Sequence, residues 1–226
     1  VIKLEYHTSF PGSDPFNGHN TSAPAIRSLY YGVSEVPYTV IEGGADGLAF
    51  DHDPEKPGAN ILKRESLKDA FFDISLHTSL ENGQVIAEID ITALQDLDPG
   101  ERIIHTVVYE KLITGISTAN GATNFLNVVK AMLPNAAGTA VFDSWVKGQT
   151  RSYMYSWDMA NVYDPEMIRI ATFVQNENSK YVYQAEANDS TNLTTDNESI
   201  NVISPSVTVY PNPADDFRSE EHTSEL

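Results

Sequence analysis

From residue 72 onward, apolar side chains fall at every second position in a series of short runs, and this period constrains the fold more than any other feature. Successive side chains of a strand point to opposite faces, so the spacing suits strands with one buried face and does not suit helices. Residues 72–80 and 84–93 flank Asn82-Gly83, a pair suited to a type I′ turn, so a hairpin is expected there. Asp98-Pro99-Gly100-Glu101 turns the chain into 102–113, where Ile104, Thr106 and Val108 alternate with Ile103, His105 and Val107. Residues 115–123 read as a polar loop, and 124–133 as a short helix or an irregular apolar segment. A strand at 149–159 carries Tyr153, Tyr155 and Trp157 on one face, and 167–174 with 181–187 makes a closing hairpin. Short strands with frequent turns point to an antiparallel, Ig-like β-sandwich over 72–187.

Residues 1–71 mix helix and strand signals, which makes the whole chain α+β. The first ten residues begin as a strand-like alternation, with Ile2, Leu4 and Tyr6 on one face and Lys3, Glu5 and His7 on the other. The breakers Pro11-Gly12-Ser13-Asp14-Pro15 end it. Thr21 or Ser22 can cap a helix that tolerates Pro24 in its first turn, buries Ala25, Ile26, Leu29 and Tyr30, and stops at Gly32. Val36-Pro37 leads into a strand at 38–41, residues 44–58 read as a loop, and 60–71 has helical spacing. At the other end, 188–206 is expected to be a flexible linker, because its polar side chains cannot bury enough surface to offset the entropy of ordering.

Fourteen Lys and Arg stand against 32 Asp and Glu, a net charge of −18, which repels nucleic acid and anionic lipid and argues against both as partners. A hydrophobic content of 41% is enough for a packed core. No apolar run approaches the roughly 18 residues that a membrane-spanning helix needs. The chain has no cysteine, so these residues supply no disulfide, thiolate metal site or thiol nucleophile.

Candidate chemical groups are few. Glu5, His7, Asp14 and His19 are of the right types for Zn²⁺, but their spacing matches no ligand pattern, and solvated polar groups at a strand end are the simpler reading. Asp46, Asp51 and Asp53 could offer oxygens to Ca²⁺, yet they lack the regular spacing of a calcium loop. No Gly-x-Ser-x-Gly elbow is present, and no pair of carboxylates stands out for glycoside hydrolysis. Tyr153, Tyr155 and Trp157 could form an aromatic ligand platform, although such a stripe is more often sandwich core. No catalytic, cofactor-binding or metal residue is therefore assigned.

Three resemblances add to this. Tyr31-Gly32-Val33-Ser34-Glu35-Val36-Pro37, between a helix and a strand, resembles the second half of a thioredoxin fold; this implies that 1–71 is the C-terminal half of such a domain, with Pro37 at its cis-proline position. Tyr6-His7-Thr8-Ser9-Phe10-Pro11-Gly12, Tyr30-Tyr31-Gly32-Val33, 127–134 and 171–176 resemble the Omp-twenty-eight-related surface proteins of Bacteroidetes, which join a thioredoxin-like part to a β-sandwich. Val207-Thr208-Val209-Tyr210-Pro211-Asn212-Pro213-Ala214 resembles the opening strand of a type IX secretion sorting domain, here 207–217, with Tyr210, Pro211, Asn212 and Pro213 as its motif.

These likenesses imply a cell-surface or secreted protein that uses the type IX secretion machinery and meets an extracellular protein or glycan without catalysis. The alternative they allow is an envelope thiol–disulfide oxidoreductase-like protein whose Cys-x-x-Cys precedes Val1. Residues 218–226 read as a translated sequencing adapter and are set aside as a non-native tail; without their one Arg and three Glu the charge is −16. With no initiator Met or signal peptide, the chain is expected to be a fragment open at both ends.

Overall fold

The computed structural model describes residues 1–47, 49–50, 59–81, 83–118, 121–188 and 194–195. The regular structure among them is mainly antiparallel sheet, with few and short helices. One sheet contains β3 (Phe72–Glu81), β4 (Gln84–Ala93) and β8 (Thr150–Asp158) in that order, with β11 (Thr194–Thr195) outside β3. The second runs β10 (Val182–Ala187), β9 (Ile168–Asn176), β5 (Arg102–Ile113) and β6 (Phe125–Leu133), and β7 (Thr139–Val141) continues the β6 side of β5.

The β3–β4 hairpin pairs without interruption from Phe72↔Ala93 to Glu81↔Gln84, and Gly83 takes the positive φ that its tight turn requires. The β4–β8 pairing continues past both strands in one register: Thr92 faces Thr150, Leu97 bridges Trp145, and the Gly100 N–H donates to the Phe142 carbonyl. The two sheets pack face to face. Ile74, Val85, Ile89 and Ile91 from one meet Ile104, Val108, Ile170 and Val174 from the other, with Trp145 at one end. Each such side chain is almost fully withdrawn from water, a gain of about 1.5–3 kcal/mol apiece.

The second sheet is covered on its other face as well. Val107, Tyr109, Val129, Met132, Ala171 and Phe173 point away from the sandwich core and are buried under Ile2, Leu4, Tyr6 and Ala23. Residues of β5 and β9 are therefore buried on both faces, which is why they read as near-continuous apolar runs. The described body has three layers: the front segment, the β5–β9 sheet, and the β3–β4–β8 sheet.

The front segment departs from the sequence reading in several ways. Instead of a strand, residues 1–10 form a single parallel bridge, Glu5↔Val128, although Ile2, Leu4 and Tyr6 do face the core. A short helix α1 (Pro15–His19) follows, which the breakers at 11–15 had concealed; Asp14 caps it by accepting from the N–H of Phe16 and Asn17. In α2 (Ser22–Tyr31) the buried residues are Ala23, Pro24 and Arg27, whereas Ile26 and Leu29 are exposed. The helix turns a cation inward because the sheet beneath it offers aromatic rings and neutral polar groups. Asn20, not Thr21 or Ser22, supplies the capping oxygen, to Ala23 N.

Gly32 ends α2 in the left-handed conformation, and the Val36–Pro37 peptide is cis, as are Phe10–Pro11 and Leu133–Pro134. Residues 38–41 supply only the two-residue strand β1 (Thr39–Val40), paired with β2 (Ala49–Phe50). The expected loop at 44–58 thus includes β2 and most of a 3-10 helix, Glu42–Gly47. The helix expected at 60–71 is α3 (Ala59–Glu65), which stops where Ser66 and Leu67 turn back on it.

Residues 124–133 form the strand β6, neither helix nor irregular segment. A bulge between its pairings Val108↔Ala131 and Tyr109↔Val129, together with the positive φ of Asn127, breaks the alternation that would have marked it. Thr194–Thr195, inside the span expected to be linker, pairs with the open edge of β3. Asn188 is fixed too, since its side chain accepts from Ile170 N and donates to Thr78.

Candidate functional site

Two buried polar clusters stand out, one tying the layers together and the other supporting a cleft. In the first, Arg27 lies between α2 and the sheet, 6% exposed. It donates to Tyr31 Oη (2.6 Å), Gln175 Oε1 (3.2 Å) and His105 Nε2 (3.3 Å), and lies over the rings of Tyr30 and Tyr31. Burial, with the neighbouring guanidinium, pushes the His105 pKa down to about 3, so the ring is neutral and can accept from Arg27. Burial raises the Tyr6 phenol to about 12. Lys180 adds a bond to the Tyr30 carbonyl. This cluster fastens the front segment to β5 and β9.

The second cluster lies where β5 ends. Glu110 is completely buried, and its carboxylate accepts from Asp164 N at 2.6 Å and Tyr163 N at 3.1 Å. Its counterion is Lys130 Nζ at 3.3 Å, on the bulge of β6, also buried. Burial lowers the Lys130 pKa, and Glu110 partly offsets this. The pair thereby holds the connector between β8 and β9, where Asp164 Oδ1 also caps the 3-10 turn Pro165–Met167. The Tyr163 ring is braced by Lys130 (5.0 Å), by Phe16 (6.1 Å) and by His19 (6.0 Å), the last two from α1.

In front of this support lies an open cleft of about 320 Å³, lined by Leu112, Ile113, Thr114, Tyr163, Asp164 and Met167. It offers one partly exposed aromatic ring, a carboxylate, a hydroxyl and an apolar floor. That arrangement can stack and orient a ligand with mixed polar and apolar surface.

The sequence had not marked Glu110, Lys130, Tyr163 or Asp164. The available signal was a lone carboxylate inside the apolar run of β5, together with the Asp164-Pro165 start of a turn. Of the residues it did single out, His7 and Asp14 meet at 2.9 Å, but Asp14 is already occupied as the α1 cap. Glu5 pairs with Lys3, and His19 stands against Tyr163. Among the described residues no group of three or more His, Asp or Glu could hold a metal ion. The Ca²⁺ candidates Asp51 and Asp53 lie outside the described residues, as do Tyr210, Pro211, Asn212 and Pro213, while the Asp46 backbone lies in the 3-10 helix. Tyr153, Tyr155 and Trp157 pack against the sandwich core, with Tyr155 Oη 2.7 Å from Thr139 Oγ1. The stripe is core and not an open platform.

No family model matches the chain. No curated protein matches it. Among solved structures, HBP35 of Porphyromonas gingivalis is similar with a TM-score of 0.63 at 15% identity, over 86% of this chain and 66% of that one. At that identity the likeness shows a shared fold, and this chain spans just under two thirds of the neighbour's length. A domain of the outer membrane lipoprotein Omp28 from Porphyromonas gingivalis matches at 13% identity with a TM-score of 0.36, over 53% of this chain and 88% of that one. Among the described residues no helix is long and apolar enough to cross a membrane.

Proposed function

We propose that the chain belongs to an exported cell-surface or secreted protein with a non-catalytic binding role, and that the Tyr163 cleft is where it meets an extracellular glycan or protein. The observation that carries the binding role is the fixed wall of that cleft. A fully buried carboxylate, held by an equally buried ammonium, is spent on two backbone N–H groups beside the exposed ring. Desolvating such a pair costs several kcal/mol per ion and seldom adds net stability, whereas it does fix one geometry.

Export by the type IX machinery is supported by the resemblance of 207–217 to a sorting strand. The full-length protein, expressed in a host with type IX secretion, should be labelled on intact cells by a membrane-impermeant biotin reagent. Truncation before Val207 should leave it in the periplasm; equal labelling of both forms would remove this route. For the cleft, amide shifts of Leu112, Ile113, Thr114, Tyr163, Asp164, Glu166 and Met167 are expected on titration with chito-, cello- and malto-oligosaccharides, and are lost in Tyr163→Ala. Shifts confined to other surfaces would refute the assignment.

The alternative is an envelope thiol–disulfide oxidoreductase-like protein, with 1–71 as the second half of a thioredoxin-like domain. It is favoured by the order of α2, its Gly32 cap, Pro37 and β1. A longer form that includes the residues before Val1 should then reduce insulin disulfides; a longer form without that activity would leave the binding role.

A further inference from the structure

We propose that two copies of this chain join through β8, antiparallel and edge to edge about Met154. Among the described residues no strand pairs with the outer side of β8, although it is nine residues long and free of bulges. Natural edges are normally blunted by Pro, Lys, bulges or covering segments. The other edges here follow that rule: β11 covers β3, β10 has a register shift, and β6 carries the Glu5 bridge. β8 has no Pro, Lys or bulge and no cover among the described residues; its one inward-facing charge, Arg151, lies at the start of the strand over the Trp145 ring.

Its sequence also fits a two-fold axis. Ser152-Tyr153-Met154-Tyr155-Ser156 reads the same in both directions. Antiparallel pairing centred on Met154 sets Met154 against its own copy, Tyr153 against Tyr155, and Ser152 against Ser156. Just outside these, Arg151 meets Trp157 and Thr150 meets Asp158. An isologous contact demands such self-complementarity. Every pair in this register joins two inward-facing or two outward-facing residues, so the apolar face of one sheet continues into the next. Tyr153, Tyr155 and Trp157 face the core yet remain only half-buried, and the partner strand would cover their open side. Met154, 70% exposed on the outer face, gains an apolar neighbour. The strand carries one Arg and one Asp, so it is locally neutral in a chain of charge −18. Repulsion between the rest of the two copies should make the contact weak at low salt and tighter when screened.

Sedimentation of the full chain tests this, with a dissociation constant of about 10–100 µM expected for one strand pair. Met154→Lys places two ammonium groups face to face on a surface position and should weaken the dimer at least about tenfold without unfolding the chain. Because these 226 residues include no cysteine, Met154→Cys in this chain should give a disulfide-linked dimer on mild oxidation, since Cα atoms facing across the axis lie about 4.5–5.5 Å apart. Ser152→Cys, about 14 Å from its own copy, should not. A monomer at all concentrations through about 100 µM would overturn the proposal, including the case in which the chain's own later residues cover the edge. So would a dimer indifferent to Met154→Lys, or cross-linking that favours Ser152→Cys.

Discussion

Replacing Lys130 with Met tests the support beneath the cleft. In the wild type Glu110 has one counterion among the described residues, at 3.3 Å, and accepts from two backbone N–H groups. Removing Lys130 leaves a buried carboxylate still held by those donors, so the cost should fall near about 3 kcal/mol, the lower end for a broken buried pair. Glu110→Gln leaves the opposite defect: the amide oxygen can still accept, but among the described residues Lys130 keeps only the Tyr163 ring, at 5.0 Å. About 3–5 kcal/mol is expected for it. The double variant strands no charge, so it should be no less stable than either single one, which makes the coupling energy at least about 3 kcal/mol. Glu110→Leu should be worst of all, because it also leaves the Tyr163 and Asp164 N–H groups without acceptors, at about 1–3 kcal/mol each. Urea denaturation of the full chain, followed by the emission of Trp145 and Trp157, measures all four. Additive single effects, or a Lys130→Met loss below about 0.5 kcal/mol, would show that the pair does not hold the connector.

Two further outcomes follow from the front segment. His105 titrates near 6.5 when unfolded and about 3 when folded, so between these values the unfolded chain binds the extra proton and stability falls as pH drops. Denaturation midpoints between pH 7 and 5 should therefore decline in the wild type and decline less in His105→Gln; equal slopes would contradict a buried neutral ring. Gly43 has φ +75°, and a Cβ there would lie 1.5 Å from the Lys180 carbonyl oxygen. Gly43→Ala should accordingly cost about 2 kcal/mol or more in urea denaturation, and a neutral result would show that the 3-10 segment does not sit on the β9–β10 turn.

What could be read from the residues followed from how many faces of an element are covered. The β3–β4 hairpin was legible because one face is buried and the other wet, so alternation and Asn82-Gly83 agree. β5 and β9 were legible as strands, but the reason for their continuous burial was not, since nothing local shows that the front segment lies over them. β6 was missed because Asn127 and the bulge at Lys130 shift its period. The α2 face was misjudged because its apolar Ile26 and Leu29 are exposed while its one cation is buried among rings, a choice made by the sheet and not by the helix. Glu110 and Lys130 were invisible for a related reason: a charge in a strand normally marks the wet face, and only packing shows that these two turn inward to each other.

The layered body is tested most directly by native-state hydrogen exchange on the full chain. The amides of α2 and those of Val107, Ala171 and Phe173 should open together, with free energies close to that of global unfolding. Arg27→Ala should lower protection in all of them. Rapid exchange of α2 while β5 and β9 stay fully protected would contradict it.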